Sequence, residues 1–196
     1  MIAWRHIAAA LVTALGLAGC ASEPGGRTDP GWIALFNGSG LDDWHRLGDA
    51  NWRVVDGILE ADTGAGYLVS RAAYADFEIR AEFWADERVN SGIFLRCTDT
   101  SEVTPFNSYE VNIWDSRPDP SYGTGAIVGI AAVSPMPRAA RRWNTYEITA
   151  RGGRLTVVLN GVRTVDVIDN KFSRGAIALQ AEGGTIRFRR IEIRPL

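Results

Sequence analysis

Beyond residue 30 the apolar positions recur with a period of two. In residues 76–86 (DFEIRAEFWAD), Phe77, Ile79, Ala81 and Phe83 fall on one face and Glu78, Arg80, Glu82 and Trp84 on the other. That is the alternation of a strand with one buried side. Residues 146–151 alternate in the same way, and residues 155–159 do so in part. Two-residue turn signals punctuate the runs: Asp56-Gly57, Gly152-Gly153, Asn160-Gly161 and Gly183-Gly184. Such pairs favour primed turns whose twist suits antiparallel neighbours, so each predicts a hairpin. Near the C-terminus Ile186 and Phe188 are even-numbered while Ile191 and Ile193 are odd. The phase slips at Arg189-Arg190, which predicts a bulge. The pattern gives about twelve strands, no long helix and no internal repeat, and so predicts an all-β, antiparallel jelly-roll sandwich.

The first twenty residues read differently. Arg5 and His6 precede an apolar stretch from Ile7 to Leu17, which is too short to cross about 30 Å of hydrocarbon as a helix. It ends in Leu17-Ala18-Gly19-Cys20, which resembles the lipobox of bacterial lipoproteins. By that resemblance residues 1–19 are a removable signal peptide and the Cys20 thiol carries lipid. Ala21 and Ser22 follow with no aspartate to retain the protein at an inner membrane, which implies an outer-membrane anchor in a Gram-negative envelope. Residues 20–30 then form a flexible tether of about 18 Å mean span, and residues 31–196 the folded domain. With Cys20 lipidated, Cys97 has no partner for a disulfide. Its phase with Ile93 and Leu95 predicts a small buried side chain on their face.

Composition narrows the chemistry. Hydrophobic content of 46% beside 22% charged residues excludes a largely disordered chain. The formal net charge is −2 and no basic run occurs, which excludes nucleic acid as a partner. Past residue 19 the only histidine is His45. A histidine-rich metal site and a Ser-His-Asp triad are therefore excluded, and the sequence requires no cofactor. The seven tryptophans and five tyrosines supply the aromatic faces against which sugar rings pack.

The most suggestive stretch is residues 108–115 (SYEVNIWD). Strand alternation there places Glu110, Asn112 and Trp114 on one face and Tyr109, Val111 and Ile113 on the other. A carboxylate, an amide and an indole on one surface suit a sugar, and an exposed sheet face would read the same way. Ordinary glycosidases need two carboxyl groups flanking the bond, yet position i+2 from Glu110 is Asn112, and Asp115 lies five residues on. In residues 92–96, Arg96 is in phase with Gly92 and Phe94, opposite the aliphatic side. In residues 175–180, Ile177 and Leu179 mark the core side, so Gln180 points away from it, with Glu182 just beyond.

These segments together resemble the 3-keto-disaccharide hydrolase family, long called DUF1080. The opening Ala34-Leu-Phe-Asn-Gly38 with Leu41-Asp-Asp-Trp44 is similar to its LFNGxxLxxW start. Trp52-Arg-Val-Val-Asp-Gly57, Asp76-Phe-Glu-Ile79, Asn90-Ser-Gly-Ile-Phe-Leu-Arg96 and Tyr109-Glu-Val-Asn-Ile-Trp-Asp115 follow in order. Trp143-Asn-Thr-Tyr-Glu-Ile148, Leu159-Asn-Gly161 and Gly175-Ala-Ile-Ala-Leu-Gln180 complete the set. The resemblance implies a concanavalin-like jelly roll acting on glycosides already oxidised at C3. A 3-ketone acidifies the C2 proton, so a base can form an enolate and the C1 substituent leaves by elimination, with or without later addition of water. On that reading Glu110, Arg96 and Glu182 are the catalytic candidates, with Glu110 as base or as a ligand for sugar hydroxyls and Arg96 holding the enolate charge. Asn90, Asn112, Trp114, Gln180 and Asp115 are the substrate-binding candidates. A divalent metal could take part of the Arg96 role. The chain departs from the family at one point, reading Gln180-Ala-Glu-Gly183 where Gln-Asp-His-Gly is usual. Either Glu182 transfers the proton, or the substrate differs, or the domain is a non-catalytic carbohydrate-binding module. A third possibility is an envelope interaction domain presenting Glu78, Arg80, Glu82 and Trp84, although such a stripe is more often a solvated face with cross-strand ion pairs.

Overall fold

The structure is a computed structural model that describes residues 30–196. The Leu17-Ala18-Gly19-Cys20 signal, lipidation at Cys20 and all but the last residue of the tether lie outside the described residues. Thirteen strands are described, one more than the periodicity predicts: β1 (Ile33–Phe36), β2 (Trp44–Gly48), β3 (Arg53–Val55), β4 (Ile58–Ala61), β5 (Ala65–Tyr74), β6 (Phe77–Ala85), β7 (Ser91–Cys97), β8 (Tyr109–Ile113), β9 (Trp143–Arg151), β10 (Arg154–Leu159), β11 (Val162–Ile168), β12 (Gly175–Glu182) and β13 (Ile186–Pro195). They build two antiparallel sheets. One runs β11-β10-β9-β6-β13-β4-β3, with β1 also on β13; the other runs β2-β5-β12-β7-β8.

Three of the four turn signals close hairpins: β3–β4 at Asp56-Gly57, β9–β10 at Gly152-Gly153 and β10–β11 at Asn160-Gly161. Asp56 and Gly57 have φ of 51° and 76°, and Asn160 and Gly161 have 51° and 80°, as a type I′ turn requires. Gly183-Gly184 does not close a hairpin. It carries the chain from β12 in one sheet to β13 in the other. A Cβ on Gly184 would sit 2.7 Å from the Val89 nitrogen, so close packing sets this glycine. The slip at Arg189-Arg190 is a bulge, with the β13–β6 register shifting between Phe188 and Arg190. It lets β13 pair with β4 through Ile186–Phe188 and with β1 through Ile191–Ile193.

The core lies between the sheets. Phe77, Ile79, Ala81 and Phe83 of β6, with Ile186, Phe188, Ile191 and Ile193 of β13, face Ile93, Leu95, Val111, Ile177 and Leu179. Each large side chain fully buried this way contributes about 1.5–3 kcal/mol. The outer face of the larger sheet carries the alternate residues. Glu78 pairs with Arg194, Glu82 with Arg189 and Glu60 with both Arg53 and Arg187, while Arg187 and Arg189 lie over Trp84 and Trp143. Partly exposed pairs of this kind are worth about 0–1 kcal/mol, so core parity, and not charge pairing, fixes the register. The Glu78, Arg80, Glu82 and Trp84 stripe is thus laced by cross-strand partners.

The smaller sheet is unusual in being buried on both faces along β7 and β8. Its outer face is overlain by residues 98–107, and the edge of β8 is closed by the segment after it. The Asn112 and Val128 amides donate to the Ala126 and Glu110 carbonyls respectively, which removes an exposed strand edge.

Candidate functional site

Five of the polar side chains singled out from the sequence converge on the outer face of the smaller sheet, and Arg96 and Asp115 lie elsewhere. The register sets Tyr67 beside Gln180, Glu182 beside Ala65 and Ala178 beside Val69. On the far side of β12, Ala178 pairs with Phe94 and Glu182 bridges Asn90. One strand further, Gly92 pairs with Asn112 and Phe94 with Glu110. Gly92 therefore lies at the centre of a patch bounded by Asn90, Glu110, Asn112 and Gln180, with Glu182 on its edge. A Cβ there would meet the Val111 carbonyl oxygen at 3.1 Å, Glu110 Cγ at 3.3 Å and the Phe94 ring at 3.4 Å. Glycine leaves a depression next to the carboxylate.

The electrostatics of this patch centre on Glu110, which is 6% exposed. Burial pushes its carboxyl up from 4.5 to about 7; the Arg117 guanidinium works against that shift and the Glu182 charge adds to it. Two carboxylates and one cation thus act on one another across the patch. Tyr67 belongs to the same group. Burial first, then the Glu110 and Glu182 charges, push its hydroxyl up to about 12, while a hydrogen bond with Gln180 favours the ionised form. At neutral pH Tyr67 therefore holds its proton and Glu110 is poised to take one.

The amides have committed donors and spare acceptors. Asn90 Nδ2 donates to Glu182 Oε2 at 2.8 Å and Asn112 Nδ2 donates to the Tyr122 carbonyl at 2.7 Å. Asn90 Oδ1, Asn112 Oδ1 and Gln180 Oε1 are buried with no hydrogen-bond partner. Three buried acceptors around one glycine thus lack a protein donor; Asn112 is 0% exposed and closed to a ligand, whereas Asn90 and Gln180 border the surface and suit ligand hydroxyl groups. Trp114 stands at the margin, half-buried, with Nε1 donating to Ser116 Oγ and Arg117 stacked 5.2 Å from its ring centroid. Among the described residues no group of three or more His, Cys, Asp and Glu side chains is arranged to hold a metal ion.

Arg96 is elsewhere, which overturns its expected place beside Glu110. The residue has φ of 53°, and the β12–β7 register shifts there, leaving one extra residue on β7 between Phe94 and Cys97. The bulge rotates Arg96 off the outer face and into the interior, where it is 1% exposed. Its Nε donates to the Ala75 carbonyl, Nη1 to the Gly152 and Phe172 carbonyls, each at 2.8 Å, and Nη2 to Asp76 Oδ1 at 3.0 Å. Desolvation lowers its pKa and the Asp76 carboxylate opposes that. Four of the five guanidinium N–H donors are engaged and the side chain is buried, so Arg96 braces three chain segments and no substrate reaches it. The same bulge moves Cys97 to the opposite face from Ile93 and Leu95. It is buried as expected, but among Val69, Phe94, Val103, Ala176 and Ala178, where desolvation pushes the thiol up to about 12.

Asp115 is also structural, contrary to its expected contact with substrate. Oδ2 accepts the amides of Ala139 and Ala140 at 2.9 Å and Oδ1 accepts the Thr124 hydroxyl at 2.6 Å. The carboxylate clamps the segment covering β8. Two members of the patch, Tyr67 and Arg117, were not singled out from the sequence. Tyr67 is in phase with Val69 on β5, but its pairing with Gln180 is long-range. Arg117 follows β8 in a loop, where no periodicity gives direction.

Residues 31–194 match the model of the 3-keto-alpha-glucoside-1,2-lyase-like domain. Among solved structures, two proteins of Parabacteroides distasonis ATCC 8503, provisionally assigned as glycosyl hydrolases, are similar at TM-scores of 0.75 and 0.71. They are 18% and 25% identical, over 85% and 84% of this chain and 94% and 99% of theirs. The carbohydrate-binding module CBM66 from Bacillus subtilis is similar at a TM-score of 0.62 and 18% identity, over 78% of this chain and 95% of the module. No curated protein matches the chain. The jelly-roll fold is thus shared with glycosyl hydrolases and with a sugar-binding module.

Proposed function

The chain belongs to the 3-keto-alpha-glucoside-1,2-lyase-like domain family, and from that premise we propose that the patch around Gly92 cleaves a 3-keto-glycoside at C1. The observation that carries the reading is a buried carboxyl at Glu110, raised to about 7, with the Arg117 cation acting on it. A base whose pKa lies near the working pH is suited to remove a proton made acidic by a ketone. Glu110 takes the proton from C2 and the C–H electron pair passes into an enolate. Arg117 stabilises the negative charge in place of the buried Arg96. The enolate then re-forms the ketone, C1=C2 forms and the C1–oxygen bond breaks. Tyr67 protonates the departing oxygen. The products are an enone and a free alcohol, and addition of water to the enone gives net hydrolysis.

The second reading is a carbohydrate-binding module on the same surface. It draws on Glu182, which stands where the family usually has histidine and whose carboxylate is already engaged by Asn90. Incubation with a 3-keto-glycoside and its unoxidised parent separates the two. The enzyme reading expects a conjugated-enone absorbance or released alcohol from the ketone only. Binding of either compound with turnover of neither would replace it with the module. We further propose that Cys20 is lipidated and holds the domain at the outer membrane, as the Leu17-Ala18-Gly19-Cys20 sequence implies.

A further inference from the structure

The patch around Gly92 opens sideways into a groove of about 450 Å³ whose far wall is the segment that crosses the outer face after β7. Leu47, Tyr67 and Val103 form its apolar walls, and Gln180 and Glu182 belong to both groove and patch. The wall is fixed before any ligand arrives. The Thr98 amide donates to the Asn107 carbonyl and the Asn107 amide to the Thr104 carbonyl. Asn107 Oδ1 accepts the Thr104 amide, Asn107 Nδ2 donates to the Glu102 carbonyl, and the Ser108 hydroxyl donates to the Thr104 carbonyl. Val103, 4% exposed, pins the segment into the apolar cluster of Val69, Phe94 and Cys97. A hydrogen bond between His45 Nε2 and the Thr100 carbonyl at 2.9 Å ties it to β2.

A binding surface of this size, rigid and walled by aliphatic and aromatic side chains, gains affinity from flat apolar groups without an ordering cost. Its shared border with the patch is made by Gln180 and Glu182 beside Tyr67, the group assigned above to the departing oxygen. We propose that this groove is a subsite for the aglycone and that it selects flat, apolar-ring aglycones over small alkyl ones. This rests on the reading of the Gly92 patch as the sugar site. The sugar ring lies over Gly92, and its C1 substituent passes Tyr67 into the space between residues 101–104 and β2–β5.

The test uses unoxidised glycosides for binding, so that leaving-group reactivity does not enter, and 3-keto-glycosides separately for turnover. By calorimetry, phenyl α-glucoside is expected to bind at least about tenfold more tightly than methyl α-glucoside. Ala65→Trp places a large ring in the groove from an exposed position opposite Glu182, and is expected to abolish that preference while leaving the methyl glycoside unaffected. Leu47→Ala, which removes one apolar wall without filling the space, is expected to reduce the preference severalfold while the chain stays folded with a modestly lower melting temperature. Equal affinity for the two glycosides, no binding of the phenyl compound, or a preference untouched by both variants would overturn the subsite. A phenyl preference abolished by Ala65→Trp, with no turnover of the 3-keto forms, would retain the subsite and remove the elimination chemistry instead.

Discussion

Replacing Glu110 by glutamine tests the electrostatics of the site without relying on any substrate. The wild-type carboxyl is 6% exposed and its pKa rises from 4.5 to about 7 on folding, chiefly because burial disfavours the charge. A group shifted in this direction contributes its full stability below pH 4.5, where folded and unfolded chains are both protonated. Between pH 4.5 and about 7 the unfolded chain ionises while the folded chain resists, so stability falls as pH rises; above about 7 the loss is complete. A shift of this size corresponds to about 3 kcal/mol. Glutamine keeps the shape and cannot ionise. Urea unfolding at pH 4, 6 and 8 should therefore show a wild-type-minus-variant difference that grows to about 3 kcal/mol in favour of the variant at pH 8. Turnover should behave oppositely: wild-type kcat/KM rises with pH through about 7 as the base ionises, and the variant is inactive with affinity retained. Parallel stability curves across this range would refute the buried, protonatable carboxyl and the base role with it.

Arg117→Gln removes the charge that favours ionised Glu110, so the rising limb of kcat/KM against pH should move to higher pH and kcat should fall about 10²-fold; an unmoved pH profile would contradict the coupling. Arg96→Ala strands the Asp76 carboxylate and three carbonyls, and denaturant unfolding should show a loss of about 3 kcal/mol or more, whereas full stability with lost turnover would return Arg96 to the active site. Cys97→Ala should cost about 1 kcal/mol in the apolar cluster, and the native thiol, held up at about 12, should alkylate only under unfolding conditions, as mass spectrometry after timed iodoacetamide treatment would reveal. Cys20→Ser should release the protein from membranes on fractionation, and unchanged sedimentation would count against the lipid anchor.

The sequence by itself determined the fold class and three of the eleven strand pairings, the local hairpins. Alternation in residues 77–85 set which face of β6 meets the core, because moving one residue in phase would expose Phe77, Ile79, Ala81 and Phe83 together. The Asp56-Gly57 and Asn160-Gly161 hairpins were equally local, since the left-handed backbone they need is a property of those residues alone. Phase also identified Glu110, Asn112 and Gln180 as facing away from the core. The tertiary structure decided the rest. Strand parity carried Arg96 to the Glu110 face, but the bulge adds one residue and reverses every side chain beyond it, and that bulge is set by pairing with β12, some eighty residues along the chain. Gly183-Gly184 carried the same turn chemistry as a hairpin, and only the packing of two sheets made it a crossing between them. Tyr67 and Arg117 joined Glu110 and Glu182 through contacts between strands and a loop distant in sequence. The raised pKa of Glu110 likewise exists only once the sheet and the segments over it exclude water. Local backbone preference and periodicity are written residue by residue; burial, and the charges it brings together, are properties of the assembled sandwich.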